Sequence, residues 1–350
     1  MPLTTEKPIG RGRVEFSRNL SHGEVEQLVS DRDIHTLQCS SPVEPETWEL
    51  LNQVLFPQRP EITLRVYGFY SSTCDLSFLN KMKNVRRLSA DCLVKATGFE
   101  HIAALEKLEA LSIGVYSLDG FDFLKNIPDG INSLTLGPTK SKRPRLDFLS
   151  RFQLLSRLFL AGQQRGIEVL SELVKLEDLT LGSIHTDDLN YISRLPRLWS
   201  LAIKLGGTTN LSAIAGKQSI KYFELWQIRG LTDLGVVSSL GGLQYLFLQS
   251  LRNVRNIPDL SQLTRLRKLY LENLKGLKDV SAIFRAPALE EFVHVSAQNI
   301  SSEKYNDLVL MPTLRRVRVG FGSQKKNEEF KDLVLRSGKE TATSNQFIFH

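Results

Sequence analysis

Few residues in this 350-residue chain have types and spacings suited to chemistry, and most of them argue for contact rather than reaction. Glu224 and Glu272 are carboxylates that could act as an acid–base pair, but no serine, cysteine or histidine constellation with nucleophile spacing accompanies them. GxSxG and HExxH are absent, and His22, His35, His101, His185, His294 and His350 show no metal-ligand spacing. "GFGSQK", at 320–325, imitates a phosphate-binding loop, yet Lys325 stands where the third glycine of GxGxxG belongs. What does cluster is aromatic: Phe159, Tyr222, Trp226, Tyr245, Phe247 and Tyr270, with Glu224, Gln249, Lys268 and Glu272 interleaved. Such rings offer large contact area at low entropic cost, which is the chemistry of a binding surface.

Composition sets the frame. Hydrophobic residues make up 41% and charged residues 24%, ordinary values for a folded chain, and the net charge of +7 permits acidic partners without requiring them. The opening "MPLTTEKPIGRGRVEFSRNL" lacks the apolar core of a secretory signal, and no run approaches the roughly 20 apolar residues of a membrane span. Cys39, Cys74 and Cys92 are odd in number and never at CxxC spacing, so neither a disulfide framework nor a zinc site is expected. The expected location is the cytoplasm.

The element that must position the aromatic set is a repeat. An LxxLxL pattern starts at Val85, Leu108, Ile131, Leu155, Leu176, Leu198, Ile220, Leu243, Leu266, Leu289 and Leu314, with successive starts 21 to 25 residues apart. Weaker copies begin at Ile34 and Glu61. In the same phase, ten residues before a start, lie Asp75, Asp188, Asn210, Asp233, Asn256 and Asp279, whose side-chain oxygens can cap a short helical segment. Each unit reads as a strand, a turn and a capped helical or 3-10 return.

These units resemble leucine-rich repeats of the short type, about 22 to 23 residues, found in internalin-like bacterial and intracellular eukaryotic proteins. The resemblance spans about residues 30 to 320. It implies an α/β solenoid, a curved horseshoe with a parallel β-sheet on the concave face and short helical or 3-10 segments on the convex face. The family's usual asparagine at the ninth position is replaced here, by Leu93, Tyr116, Thr139, Gln163, Ile184, Gly206, Ile228, Leu251, Leu274 and Ala297, so the turn is expected to rest on packing. Residues 1–60 read as an N-terminal cap with a first irregular repeat, 61–320 as the solenoid and 321–350 as a C-terminal cap. Within the first cap "SHGE" has the form of a capping box from Ser21 to Glu24; within the last, "KKNEEFKDLVLRSG" reads as a closing helix and "NQFIF" as a final strand.

Strand alternation then assigns the faces: with the leucines inward, the third, fifth and seventh positions of each unit point to the concave surface. This places Tyr222 beside Tyr245 and Phe247 beside Tyr270, with Phe159 further back in the same column as Phe247. Arg157, Lys204, Glu224, Lys268 and Glu272 are expected as a charged rim. His294, at an inward leucine position, is expected in the core.

The expectation is a non-enzymatic scaffold that binds a protein partner on its concave sheet, without cofactor or metal, as a monomer. The resemblance allows a bacterial immunity protein or an effector translocated without a cleavable signal. The alternative is a nucleic-acid binder using the loop of Lys140, Lys142, Arg143 and Arg145 with Arg315, Arg316, Arg318, Lys325 and Lys326; nucleic acid is not the favoured partner, because the basic loop carries no interleaved aromatics and the C-terminal run adds charge without establishing a contact.

Overall fold

The computed structural model describes residues 12–70, 72–141, 144–343 and 346–350. The opening segment 1–11, Lys142 and Arg143 of the basic loop, and Asn345 of "NQFIF" lie outside the described residues. Two compact units divide between Leu176 and Glu177, and each is built from the same repeat.

In the first unit the strands Arg13–Phe16, Thr36–Cys39, Thr63–Gly68, Arg87–Leu93, Ala110–Val115, Ser133–Leu136 and Arg157–Ala161 pair in that order, all parallel. The first helix, His22–Ser30, starts at the expected capping box: Ser21 Oγ accepts from the Glu24 N–H, and Glu24 Oε2 accepts from the Ser21 N–H at 2.8 Å. Arg18, with those Ser21 bonds, pulls the Glu24 carboxyl down to about 2.

In the second unit Asp178–Gly182, Ser200–Lys204, Tyr222–Trp226, Tyr245–Gln249, Lys268–Glu272, Glu291–Val295 and Arg316–Val319 form a second parallel ladder. The inward positions are sealed: Leu246, Leu248, Leu269 and Leu271 have no exposed surface, and each such side chain contributes about 1.5 to 3 kcal/mol of burial. The returns are 3-10 turns, among them Ser212–Ile214, Gly235–Ser239 and Ser281–Arg285. The repeat architecture is therefore as the sequence implies, a leucine-rich-repeat solenoid.

Asp75, Asp188, Asn210, Asp233 and Asp279 each accept from the N–H two residues on, at 2.7 to 3.1 Å, one residue ahead of the position expected of an N-cap. Asn256 departs because residue 258 is proline and has no N–H to give. Three residues later Asp259 takes over, accepting from the Ser261 N–H at 3.1 Å.

The turn after each strand is not left to packing alone. Ser183, Leu205, Gln227, Ser250, Asn273 and Ser296 all adopt positive φ, between 52° and 60°, although none is glycine. The reversal turns the N–H of Ser183 to the Lys204 carbonyl, of Leu205 to Trp226, of Gln227 to Gln249 and of Ser250 to Glu272, at 2.8 to 2.9 Å. A ladder of main-chain bonds thus does the work of the missing asparagines, and the strained backbone is the cost.

At the C-terminal end the closing helix is Gln324–Arg336, entered through Ser323, so "GFGSQK" is a loop leading into a cap. The last strand is Glu340–Thr341, paired with Arg316 and Val317. The "NQFIF" segment is not that strand: residues 346–350 form no regular element, because Arg316–Val319 already has its partner in Glu340–Thr341. No helix among the described residues is long and apolar enough to cross a membrane.

Candidate protein-binding face

On the second unit three columns run across the strands, in the register the repeat dictates. Tyr222 lies opposite Tyr245, which lies opposite Lys268; Glu224 precedes Phe247 and Tyr270; Trp226 precedes Gln249 and Glu272. Alternation with the buried leucines forces all nine onto the open face.

The rings pair as their spacing requires. Phe247 and Tyr270 stack with centroids 4.7 Å apart and planes 10° from parallel, while Tyr222 and Tyr245 meet edge to face at 5.2 Å. Phe247, Tyr270 and Trp226 are half-buried, so part of each ring faces outward. Lys268 Nζ stands 5.1 Å over the Tyr245 ring, and Lys204 Nζ 6.0 Å from that of Trp226.

Of the charged residues expected at the rim, Glu224 and Lys268 are buried, at 8% and 6% exposure. The reason is pairing. Glu224 Oε2 accepts from the Tyr222 hydroxyl at 2.8 Å and meets Lys204 Nζ at 3.0 Å. Lys268 Nζ lies 2.7 Å from Glu291, whose other oxygen accepts from Arg316 Nε at 2.7 Å. Arg–Glu–Lys along one column is a row of ion pairs, not a free fringe of charge. Glu272 and Gln249 remain half-buried, and the Tyr270 hydroxyl donates to Glu272 at 3.1 Å. Burial, reinforced by the neighbouring Glu224, holds the Tyr222 phenol far above its ordinary pKa; burial does the same to Tyr245, and burial with Glu272 raises Tyr270. All three are neutral donors across the physiological range.

Phe159 belongs to the first unit, half-buried on Arg157–Ala161 opposite Thr135, with Arg157 exposed. Elsewhere in that unit the open face is polar and self-satisfied: Arg65 Nε donates to Asp91 and Arg65 Nη1 to Gln38, each at 2.9 Å, and the Tyr67 hydroxyl donates to Glu15 at 2.9 Å.

The residues that sequence reasoning missed sit one position earlier in the repeat, at Trp199, Gln244 and Arg267, together with the tail that lies on them. Phe349 rests on Trp199 at 5.1 Å and on Tyr222 at 6.1 Å, and Phe347 on Tyr245 at 5.3 Å. The available signal was the alternation in "FIF", which sends two rings to one side of an extended segment.

His294 is fully buried, with Nδ1 2.8 Å from the Tyr305 hydroxyl, and burial lowers its pKa to about 4. Among the described residues no group of three or more His, Cys, Asp or Glu could hold a metal ion. In the basic set, Arg145 is paired with Asp147 at 2.6 Å and Arg316 with Glu291, while Arg315 and Arg318 are exposed.

Parallel strands, left-handed reversals and 3-10 returns repeated in phase define a leucine-rich-repeat fold. Comparison with solved structures agrees. The chain is similar to an internalin (InlF) of Listeria monocytogenes, at 15% identity and TM-score 0.50 over 88% of this chain and 80% of that one. It is likewise similar to the plant peptide hormone receptor RGFR1 in complex with RGF2, at 15% identity and TM-score 0.50 over 89% of this chain and 50% of that one. A Leptospira interrogans leucine-rich-repeat protein aligns over 94% of this chain and 95% of its own, at 16% identity and TM-score 0.45. At such identities the likeness is one of fold. No family model matches the sequence, and no curated protein does.

Proposed function

We propose that this protein is a non-enzymatic interaction scaffold that grips a partner protein on the open sheet face of its second unit. Contact residues are Tyr222, Glu224, Trp226, Tyr245, Phe247, Gln249, Lys268, Tyr270 and Glu272, with Phe159 a separate candidate on the first unit and residues 1–60 and 321–350 acting as caps. The observation that carries the reading is the stacked Phe247–Tyr270 pair, half-exposed in the middle of a face where Glu224 is paired with Lys204 and Lys268 with Glu291. Preordered rings among satisfied polar groups lose little entropy and little hydration when a partner covers them. A plant peptide hormone receptor of similar fold, RGFR1, is itself found in complex with RGF2.

The reading takes the protein as a cytoplasmic monomer, consistent with three cysteines that carry free thiols. In a bacterium it acts either by neutralising a toxin or as a translocated effector, and identifying the captured partner separates the two. The test is affinity capture from the native cytoplasm with mass spectrometry, using the wild type and a Trp226→Ala, Phe247→Ala, Tyr270→Ala triple variant. The variant loses the partner that the wild type retains, with an unchanged circular-dichroism spectrum. Equal capture by both overturns the site.

A further inference from the structure

The tail on the second unit is held in the way a ligand is held. Gln244, 3% exposed, commits both ends of its amide to the main chain of one residue: Nε2 donates to the His350 carbonyl at 2.5 Å, and Oε1 accepts from the His350 N–H at 2.9 Å. Arg267 donates to the Ile348 carbonyl at 2.6 Å, and its guanidinium lies 4.7 Å over the Phe347 ring. These polar bonds read only the backbone of an extended segment. Sequence is read by the two ring seats, Tyr245 under Phe347 and Trp199 with Tyr222 under Phe349. Ile348, between the rings, is 70% exposed and is not read at all.

The seat is also larger than its occupant. A cleft of about 730 Å³, lined by Gln244, Arg267, Glu290, Arg315 and His350 among others, continues beside the tail. A second space of about 220 Å³, bounded by Lys268, Glu291, Arg316 and Phe347, adjoins it. Both are open surface clefts, with room for a segment longer than the tail. The tail also makes no strand ladder, and Gln346, Ile348 and His350 are exposed, the marks of a segment that opens at low free energy.

From this geometry we infer that Trp199, Tyr222, Gln244, Tyr245 and Arg267 form a peptide-binding seat for an extended aromatic–any–aromatic segment of the partner. Residues 347–350 occupy it as a built-in stand-in that the partner's segment displaces. The inference rests on the reading of this face as a binding surface and adds the chemistry of what it binds. Phe247 and Tyr270, further along the strands, are not part of the seat.

The probe is the fluorescein-labelled peptide Gln-Phe-Ile-Phe-His, titrated by anisotropy into full-length protein. In the wild type the attached tail competes at an effective concentration in the millimolar range, so binding is weak. A Phe347→Ser, Phe349→Ser variant, its seat emptied, binds the peptide one to one and at least tenfold tighter. Adding Gln244→Ala to that variant weakens binding at least tenfold. A peptide with serine at both aromatic positions does not bind. In the wild type at millimolar peptide, saturable binding that Gln244→Ala removes reads out the same seat without altering the tail. No binding to a folded emptied variant, or equal affinity for it and the wild type, overturns the inference. Peptide affinity reads the seat and partner capture by the Trp226, Phe247 and Tyr270 variant reads the wider face, so a failure of the one and a failure of the other are told apart.

Discussion

Lowering the pH from 7.5 to 4.5 tests the core through a single side chain. His294 occupies the inward position that Leu271 fills in the preceding strand, with no exposed surface. Its Nδ1 faces the Tyr305 hydroxyl at 2.8 Å, and Nε2 is buried without a partner. Burial penalises the imidazolium and brings the folded-state pKa down to about 4 from an ordinary 6.5. A depressed folded pKa means that the unfolded chain takes up the proton first. Stability is thus complete above pH 6.5 and is lost as pH falls toward 4. At about 1.4 kcal/mol per pKa unit the whole loss is about 3 kcal/mol, most of it reached by pH 4.5. Carboxylates titrate in the same range, so the measurement is a difference: urea midpoints followed by circular dichroism for the wild type and for His294→Leu, Tyr305→Phe. The second substitution removes a hydroxyl that would otherwise be buried unsatisfied. Between pH 7.5 and 4.5 the wild type loses about 2 to 3 kcal/mol more than the double variant. Parallel pH profiles would refute the assignment of a neutral, desolvated histidine.

Three further outcomes follow from the same physics. Leu205 is 44% exposed and sits at φ 58°, so Leu205→Asn relieves backbone strain with little packing lost and raises stability by about 0.5 to 1 kcal/mol in denaturant titrations. Glu291→Ala strips Lys268 of its counter-charge in a buried setting and costs about 3 kcal/mol, whereas Lys268→Met with Glu291→Leu costs much less; equal losses would show that the ion network does not matter as drawn. Asp259→Ala costs about 1 kcal/mol by removing the Ser261 N–H acceptor, while Asn256→Ala, at the position the repeat phase marks for that role, has a smaller effect by thermal melt.

Individual residues show where the reading from sequence held and where it stopped. Leu246 and Leu248 point inward and Tyr245 and Phe247 outward because side-chain alternation along a strand is local and leaves no choice. Repeat phase then fixed the neighbours, and Tyr222 does oppose Tyr245 as Phe247 opposes Tyr270. Burial did not follow in the same way. Glu224 and Lys268 were expected at a rim and are instead enclosed by Tyr222, Lys204 and Glu291, since exposure depends on the length and charge of neighbours in adjacent repeats. The missing asparagines were legible, but their substitute was not, because a main-chain ladder carries no side-chain signature.

What the sequence by itself determined was the repeat, its phase and the face on which each side chain of the second unit lies, all consequences of chain periodicity over one or two turns. Only the tertiary structure decided which charges are buried in pairs, and that Phe347 and Phe349 return across 100 residues or more of intervening chain to rest on Tyr245 and Tyr222. Such a contact depends on the path of the folded chain through space: the alternation in "FIF" puts two rings on one side, but not the place where they dock.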